Sequence, residues 1–388
     1  MVMLNKCSTW FTCTTDKVFL GHCAVSPLFS GAVSAMRSFT EAVAEGGITA
    51  LPKYSHLLPE FRETFGSMLK TTDENISYVP NTATAMSMIA NGYPFEPGDQ
   101  VISYAHEYPS NHYPWVLQQE RGVELILLSD VGDGKSAASL QGWSMEELER
   151  RVTGRTRIVA ISHVQFASGF AADLADLGAF CKARNIDLIV DCAQSLGCLP
   201  VYPEEYNIAA LASSGWKWLM GPLGGGVMYT SSELRKKLKP VLTGPGMMRQ
   251  EFDYLDHSWD PYEDGRRFEF STGAWDHIAA LQAAAAELFL TNSMENIRDE
   301  VFRLQDVFID HLDRDRVSPL ILSDHHRSGI VMLRLRGRSR ARDVMAAMQE
   351  RGVVITGPTG VLRLAPHFYM SDSQMIRGAE ILNTVLRR

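Results

Sequence analysis

From about residue 75, over some 150 residues, short apolar runs rich in β-branched side chains alternate with helical patterns. That alternation constrains the fold more than any other feature. Val101-Ile-Ser-Tyr104, Leu125-Ile-Leu-Leu128, Arg157-Ile-Val-Ala-Ile-Ser162 and Leu188-Ile-Val-Asp191 are too short for helices and apolar on both faces. Runs of that kind are strands buried on both sides, as in parallel sheets. The segments between them carry helix signals. Ser144-Met-Glu-Glu147 is a capping box that opens a helix through about Val152, and Leu174 to Arg184 is a second helix ending before Asn185. The pattern predicts an α/β fold: a parallel sheet with helices on both faces.

The flanks are different. Residues 1–20 are mixed in character and read as an N-terminal arm. The Ala-rich stretch from Trp275 to Ala286 predicts a helix leading into a long linking helix. Beyond about 320, the strand Ile330 to Leu335, the helix Ala341 to Arg351, the strand Val361 to Leu364 and a final helix capped by Ser371–Gln374 outline a small α+β domain. The expected division is an arm at 1–20, a large domain at 21–275, and a linking helix with a small domain at 276–388.

Net charge is −8 with no long basic run, which argues against a nucleic-acid groove but leaves room for one anionic ligand. The six cysteines form no CxxC pair, so no metal site is expected. They are scattered with no secretory segment, which reads as a reduced, cytoplasmic chain. No apolar run approaches membrane-spanning length.

Several motifs carry chemistry. Lys217 lies between Trp216 and Trp218, after a strand-like run from Ile208 to Ala212 and ahead of a glycine-rich turn ending at Gly226. A lysine in apolar surroundings loses part of its proton affinity and becomes a nucleophile, and glycines let backbone approach a ligand. A surface lysine beside a turn is an equally weighted reading. Asp191 ends a hydrophobic strand, where open α/β sheets bind ligands, and Gln194 follows one helical step on. A protonated pyridine nitrogen or a structural arginine would satisfy that carboxylate, and a lone Asp there is more often a helix cap. Asn81-Thr-Ala-Thr-Ala85 opens a helix with small hydroxyl residues, either an anion cradle or an ordinary cap. Tyr108 follows a strand and can stack on a planar ligand or pack in its loop. Arg266 to Gly273 brings arginines and hydroxyls to a loop. Arg363 sits inside the apolar run Val361 to Pro366, placed for a carboxylate or an internal salt bridge. No GxGxxG follows a strand and no GxSxG appears.

The set DCAQS, SSGWKW with GPLGGG, RFEFSTG and LRLAPHFY, in that order, resembles the class V aminotransferase family of pyridoxal 5′-phosphate (PLP) enzymes, fold type I. The resemblance covers roughly residues 20 to 385. It implies a mainly parallel seven-stranded sheet in the large domain and a small C-terminal α+β domain. It makes Lys217 the Schiff-base lysine and Asp191 the partner of the pyridine N–H. It gives Gln194 the ring's phenolic oxygen, Ala83, Thr84 and Ser214 the phosphate, and Tyr108 the stacked ring. Thr272 would reach the phosphate of the partner subunit, which implies a homodimer, and Arg363 would bind the substrate α-carboxylate.

There are departures. Trp216 stands where desulfurases in the family often have His, and Gln165 stands near the place of an Asn, whose contact it could take over. Cysteine desulfurases carry a nucleophilic Cys just before the carboxylate-binding arginine, whereas 353–360 has no sulfur. The expectation is therefore an enzyme acting on the Cα amine of an amino acid, by transamination or β-elimination of the C–S lyase type, in specialised metabolism. Epimerisation is the alternative, and desulfuration by that loop mechanism is set aside.

Overall fold

Each of the four apolar runs becomes a strand of one sheet; three are buried, and the run at Leu125–Leu128 lies at the sheet edge and is half-buried except at Leu128. The structure is a computed structural model, which describes residues 4, 6, 10–11, 17–250, 253–337, 339–358 and 360–387. Most of the expected arm, with Cys7 and Cys13, lies outside the described residues. Among the described residues the strands are β1 (Val18–Phe19), β2 (Ile76–Val79), β3 (Gln100–Tyr104), β4 (Glu124–Leu128), β5 (Thr156–Ser162) and β6 (Asp187–Asp191). They continue with β7 (Ala210–Ser214), β8 (Gly226–Thr230), β9 (Val317–Pro319), β10 (Val331–Leu335), β11 (Val353–Val354) and β12 (Leu362–Leu364).

Seven of them form the main sheet in the order β2-β8-β7-β6-β5-β3-β4. Only β8 runs antiparallel to its neighbours β2 and β7; the other pairings are parallel. Side chains on a strand alternate between faces, and the core divides accordingly. Ile102, Tyr104, Val159, Ile161, Leu188 and Val190 pack in one apolar cluster, while Val101, Ile158, Ala160 and Ile189 pack in another on the opposite face. Helices cover both faces, as the doubly apolar strands require.

The path reverses next to β3: β4 lies on one side of it and β5 on the other. Loops leaving β3 and β5 therefore diverge at a switch point, where open α/β sheets hold their ligands.

The last third is built on a separate antiparallel sheet, β12-β10-β9, with its own apolar cluster. β1 pairs in parallel with β11, so the end of the expected arm is a strand fixed to the C-terminal part. Val18 and Leu20 pack in that same cluster.

Two local expectations need correction. The helix Trp275–Ala284 does not run on as one long helix: it passes into a π-helical turn, Ala285–Leu290, and a new helix starts at Met294. The break has a cause. Thr291 Oγ1 donates to the Glu287 carbonyl and Asn292 Nδ2 to the Leu288 carbonyl at 2.9 Å, occupying acceptors that continuing backbone would use. Ser293, at φ +52°, then caps Met294–Asp310. At Met145–Arg151 the capping box is half made. Ser144 accepts from the Glu147 N–H, but the Glu147 carboxylate turns to the Ser129 N–H at 2.9 Å. The box at Ser371–Gln374 is complete.

Candidate active site

Parallel strands end together, so residues just past β3, β5, β6 and β7 share one edge of the sheet. Lys217 follows β7 by three residues, Asp191 ends β6, and Tyr108 and Gln165 lie in the loops after β3 and β5. The structure brings all four to the switch point.

Lys217 is partly exposed, and its Nζ lies 5.2 Å from the centre of the Tyr108 ring. Burial pushes its ammonium below the ordinary lysine range; Asp191 and Cys23 oppose that shift and Arg363 adds to it. Tyr108 keeps 43% of its surface exposed, so its ring face is open to a ligand, and its edge packs on Phe166 at 5.3 Å. Asp191 is buried and accepts from the Ala193 N–H at 2.8 Å; burial raises its carboxyl and Lys217 counteracts the rise. A buried carboxylate with so little support favours a cationic partner.

Gln194 spans two groups. Its Nε2 donates to the Cys23 carbonyl at 2.9 Å, and its Oε1 accepts from Trp218 Nε1 at 3.1 Å. The amide nitrogen has a second hydrogen for a ligand oxygen.

The helix Thr82–Gly92 begins just past β2 on the same edge, with Asn81 as its cap. Thr82 turns to β7: its N–H and its hydroxyl lie 3.3 and 2.9 Å from Ser214 Oγ. Ala83 and Thr84 occupy the first turn, and Thr84 spends its N–H and hydroxyl on the Asn81 side chain. The result is a helix N-terminus lined by hydroxyls, suited to a phosphate. Thr272 is exposed on the loop before Trp275.

Arg363 enters from β12 and is 8% exposed. Its Nη1 donates to the Phe166 carbonyl at 2.6 Å, its Nη2 stands 3.5 Å from Thr356 Oγ1, and its Nε has no partner. The Nε–Nη2 edge of the guanidinium is thus free for a carboxylate.

Two residues outside the sequence motifs also converge. Cys23 comes from the N-terminal stretch; its buried Sγ lies 3.6 Å from Thr356 Oγ1 and within electrostatic reach of Lys217. Glu107, beside Tyr108, is buried and accepts from the Ser162 N–H at 2.8 Å, from the Ser162 hydroxyl, and from Gln165 Nε2 at 2.7 Å. Thr82 belongs to the hydroxyl-bearing stretch Asn81 to Ala85 already read as an anion cradle, whereas neither Cys23 nor Glu107 carries a local signal in the sequence.

The glycine-rich turn plays another part than expected. A Cβ at Gly221 would stand 2.3 Å from Leu281 Cδ2, one at Gly215 2.5 Å from the same atom, and one at Gly225 2.8 Å from Leu281 Cδ1. These glycines admit the helix Trp275–Ala284 against the turn that carries Lys217, rather than a ligand.

Residues 18–377 match the family model described as aminotransferase class-V. The chain belongs to that family. A probable cysteine desulfurase of Methanothermobacter thermautotrophicus is 27% identical over 252 residues, covering 64% of this chain and 60% of that protein. A second, of Pyrococcus abyssi, is matched over 45% of its length at 28% identity, so these matches span about half of those relatives. A cysteine desulfurase of Dickeya dadantii is 28% identical over 81% of this chain and 74% of its own. Among solved structures, a C-DES variant with glycine covalently linked to its PLP cofactor superposes with a TM-score of 0.87, at 20% identity, over 96% of this chain and 98% of that one. An apo cysteine desulfurase from Thermococcus onnurineus NA1 gives 0.86 at 22% identity, with both chains fully covered. At such identities the likeness establishes the fold, that of the fold type I PLP enzymes.

Class V aminotransferases are PLP-dependent, and the residues present fit the group. A desolvated lysine faces an open aromatic ring, a buried carboxylate lies within its electrostatic reach, and a hydroxyl-lined helix N-terminus closes the same edge. Among the described residues no cluster suited to a metal occurs, and no helix is long and apolar enough to cross a membrane.

Proposed function

We propose that this chain acts on the Cα amine of an amino acid, by transamination or by β-elimination of the C–S lyase type, with Lys217 as the covalent anchor for PLP. The observation that carries the proposal is the convergence of Lys217, Asp191 and the free edge of Arg363 at one switch point. When bound, PLP supplies an aldehyde for amine exchange and a ring that takes up electrons. Asp191 would hold the ring's N–H, and the Ser214 and Thr82 hydroxyls with the Ala83 N–H would hold the phosphate, whereas Thr84 gives its N–H and hydroxyl to Asn81. Gln194 would offer its second N–H to the phenolic oxygen. Tyr108 would cover the ring, and Arg363 would orient the α-carboxylate. Lys217, its ammonium destabilised by burial, can carry a proton to and from Cα.

Assembly as a homodimer, with Thr272 reaching the partner's site, is part of the proposal. It is supported by apolar side chains left in water on the segment 253–262, including Leu255 at 92% and Trp259 at 64% exposure. A reduced, cytoplasmic setting is supported by four described cysteines that are all unpaired. The division into an arm at 1–20, a domain at 21–275 and a linking helix with a small domain at 276–388 is proposed on the separate apolar cluster that runs from Leu304 to Leu386, while the linking stretch Ile278 to Val301 packs with the large domain's cluster.

A second reading is desulfuration. The loop 353–360 lacks the expected cysteine, but Cys23 stands beside Lys217 from the opposite side of the sequence. Attack of its thiol on the sulfur of a bound cysteine would leave a persulfide on Cys23 and release alanine.

One experiment separates these readings: incubation with L-cysteine and L-cystine, with and without a 2-oxo acid, followed by product analysis. Pyruvate and ammonia without acceptor mean elimination. Dependence on acceptor means transamination. Alanine together with sulfur bound to the protein, lost in Cys23→Ala, means desulfuration. A wild-type protein that takes up no PLP would end the proposal.

A further inference from the structure

Glu107 has a place in this site that the cofactor contacts do not use. It leaves the end of β3 and reaches across to the end of β5, where three donors meet its carboxylate: the Ser162 N–H, the Ser162 hydroxyl and Gln165 Nε2. Ser162 is the register partner of Asp191 on the next strand. Three converging donors favour the ionised form, and burial works against it, raising the carboxyl to about 7.

Glu107 Oε1 accepts from the Ser162 N–H, which can only donate, so that oxygen is an acceptor in either charge state and any proton sits on Oε2 beside the Ser162 hydroxyl. Gln165 meets the same Oε1, so it turns its NH₂ toward Glu107 and aims its carbonyl the other way. That carbonyl oxygen is buried, with no hydrogen-bond partner, in a residue 2% exposed. Buried acceptors are rarely left so unless a ligand completes them. The surroundings are those of the site. Two residues earlier, the His163 N–H donates to the Asp191 carbonyl at 2.9 Å. One residue later, Phe166 holds Arg363 through its carbonyl and packs its ring against Tyr108.

We propose that Glu107 is a positioning residue that locks Gln165 with its carbonyl presented to the ligand, so that the site selects an N–H or O–H donor at that point. The inference rests on the PLP reading above. Two donors share that chemistry, the hydroxyl on the cofactor ring and the amino group of the substrate. An oxyanion or a carboxylate at the same point would meet repulsion.

The test uses the PLP-loaded protein in four forms: wild type, Glu107→Gln, Gln165→Met, and the exchange Glu107→Gln/Gln165→Glu. The exchange restores an amide-to-carboxylate bond and still presents an acceptor to the ligand. Two quantities are read: the ratio of the near-ultraviolet to the visible PLP band without ligand, and the Kd for 2-methylalanine, which has no Cα hydrogen. If the donor is the cofactor hydroxyl, both single variants change the band ratio alike before any ligand is added. If it is the substrate amine, the ratio holds and both raise Kd about tenfold, the loss expected of one buried hydrogen bond. In either case the exchange returns the affected quantity toward wild type. The proposal fails if Gln165→Met matches wild type in both, or if Glu107→Gln departs from wild type while Gln165→Met does not. It also fails if the exchange rescues nothing. Should a single variant misfold, the exchange against the remaining single variant gives the same comparison. A wild type lacking both bands would instead refute the PLP reading, independently of Glu107.

Discussion

Replacing Arg363 by lysine tests the substrate side of the site with a magnitude fixed by geometry. The arginine has five N–H donors. One goes to the Phe166 carbonyl and one weakly to Thr356, and the unpartnered Nε with the outer Nη2 makes a fork. A carboxylate on that fork gains two charge-assisted hydrogen bonds. Lysine keeps the charge but offers a single point donor. One such bond is lost, about 2 kcal/mol, or roughly thirtyfold in affinity. The variant also gives up the brace on Phe166, which would weaken any ligand. Two probes separate these effects. 2-Methylalanine carries amine and carboxylate, whereas isopropylamine carries the amine alone. Titrating the PLP-loaded protein with each by absorbance, the ratio of the two affinities in wild type over Arg363→Lys isolates the carboxylate contribution. A roughly thirtyfold drop in that ratio is expected. An unchanged ratio, with both amines weakened equally, would mean that Arg363 only braces the loop after β5.

Three further outcomes are expected. Lys217→Ala will bind PLP without the visible band of the lysine-linked cofactor, and borohydride will no longer fix the cofactor to the chain; retention of either places the covalent anchor elsewhere. Gly221→Ala will lose about 1–3 kcal/mol in urea unfolding, because its Cβ meets Leu281 at 2.3 Å, and Leu281→Ala in the same chain will recover part of it; a neutral Gly221→Ala disproves the close packing. Burial lowers His22 and His163 to about 4, so their contribution is present above 6.5 and is lost as pH falls through 4. Glu107 acts oppositely. Its carboxyl is raised from 4.5 to about 7, so its contribution is present below 4.5 and is lost as pH rises through 7. Glu107→Gln will therefore steepen the loss of stability between pH 7 and 4.5, and parallel urea midpoints for the two proteins across that window would contradict the assignment.

What sequence made legible follows from range. β3, β5 and β6 show as apolar runs because the sheet is covered on both faces, and burial on two faces writes itself into each strand. Lys217 and Asp191 stand out because each is a charge set against apolar neighbours. Glu107 is different. Its partners Ser162 and Gln165 lie 55 and 58 residues on, and nothing local tells a buried acid from a solvated one. Cys23 reaches the site through contacts with Thr356 and Gln194, more than 150 residues away in each case. The glycine-rich turn misled for the same reason: the group it makes room for is Leu281, in a helix not yet met. Local chemistry announces a residue's capacity, and topology decides its company.

The pairing of β1 with β11 bears on how the molecule is made. Val18 lies against Val353, 335 positions later, and Gly21 bridges Ala365. At about 5–20 residues per second of synthesis, β1 waits on the order of tens of seconds for its partner. Through that interval the nascent chain can complete most of the main sheet, since β2 to β8 are contiguous in sequence. It lacks Arg363 and Thr356, and it holds the segment bearing Cys23 only through contacts such as Gln194 Nε2 to the Cys23 carbonyl and the Ser26 N–H to the Trp216 carbonyl. A prematurely ended chain would thus keep its lysine and its phosphate cradle and still have no wall for a substrate. The β1–β11 pairing therefore forms only after the strands that lead to Asp191 and Lys217 have been made.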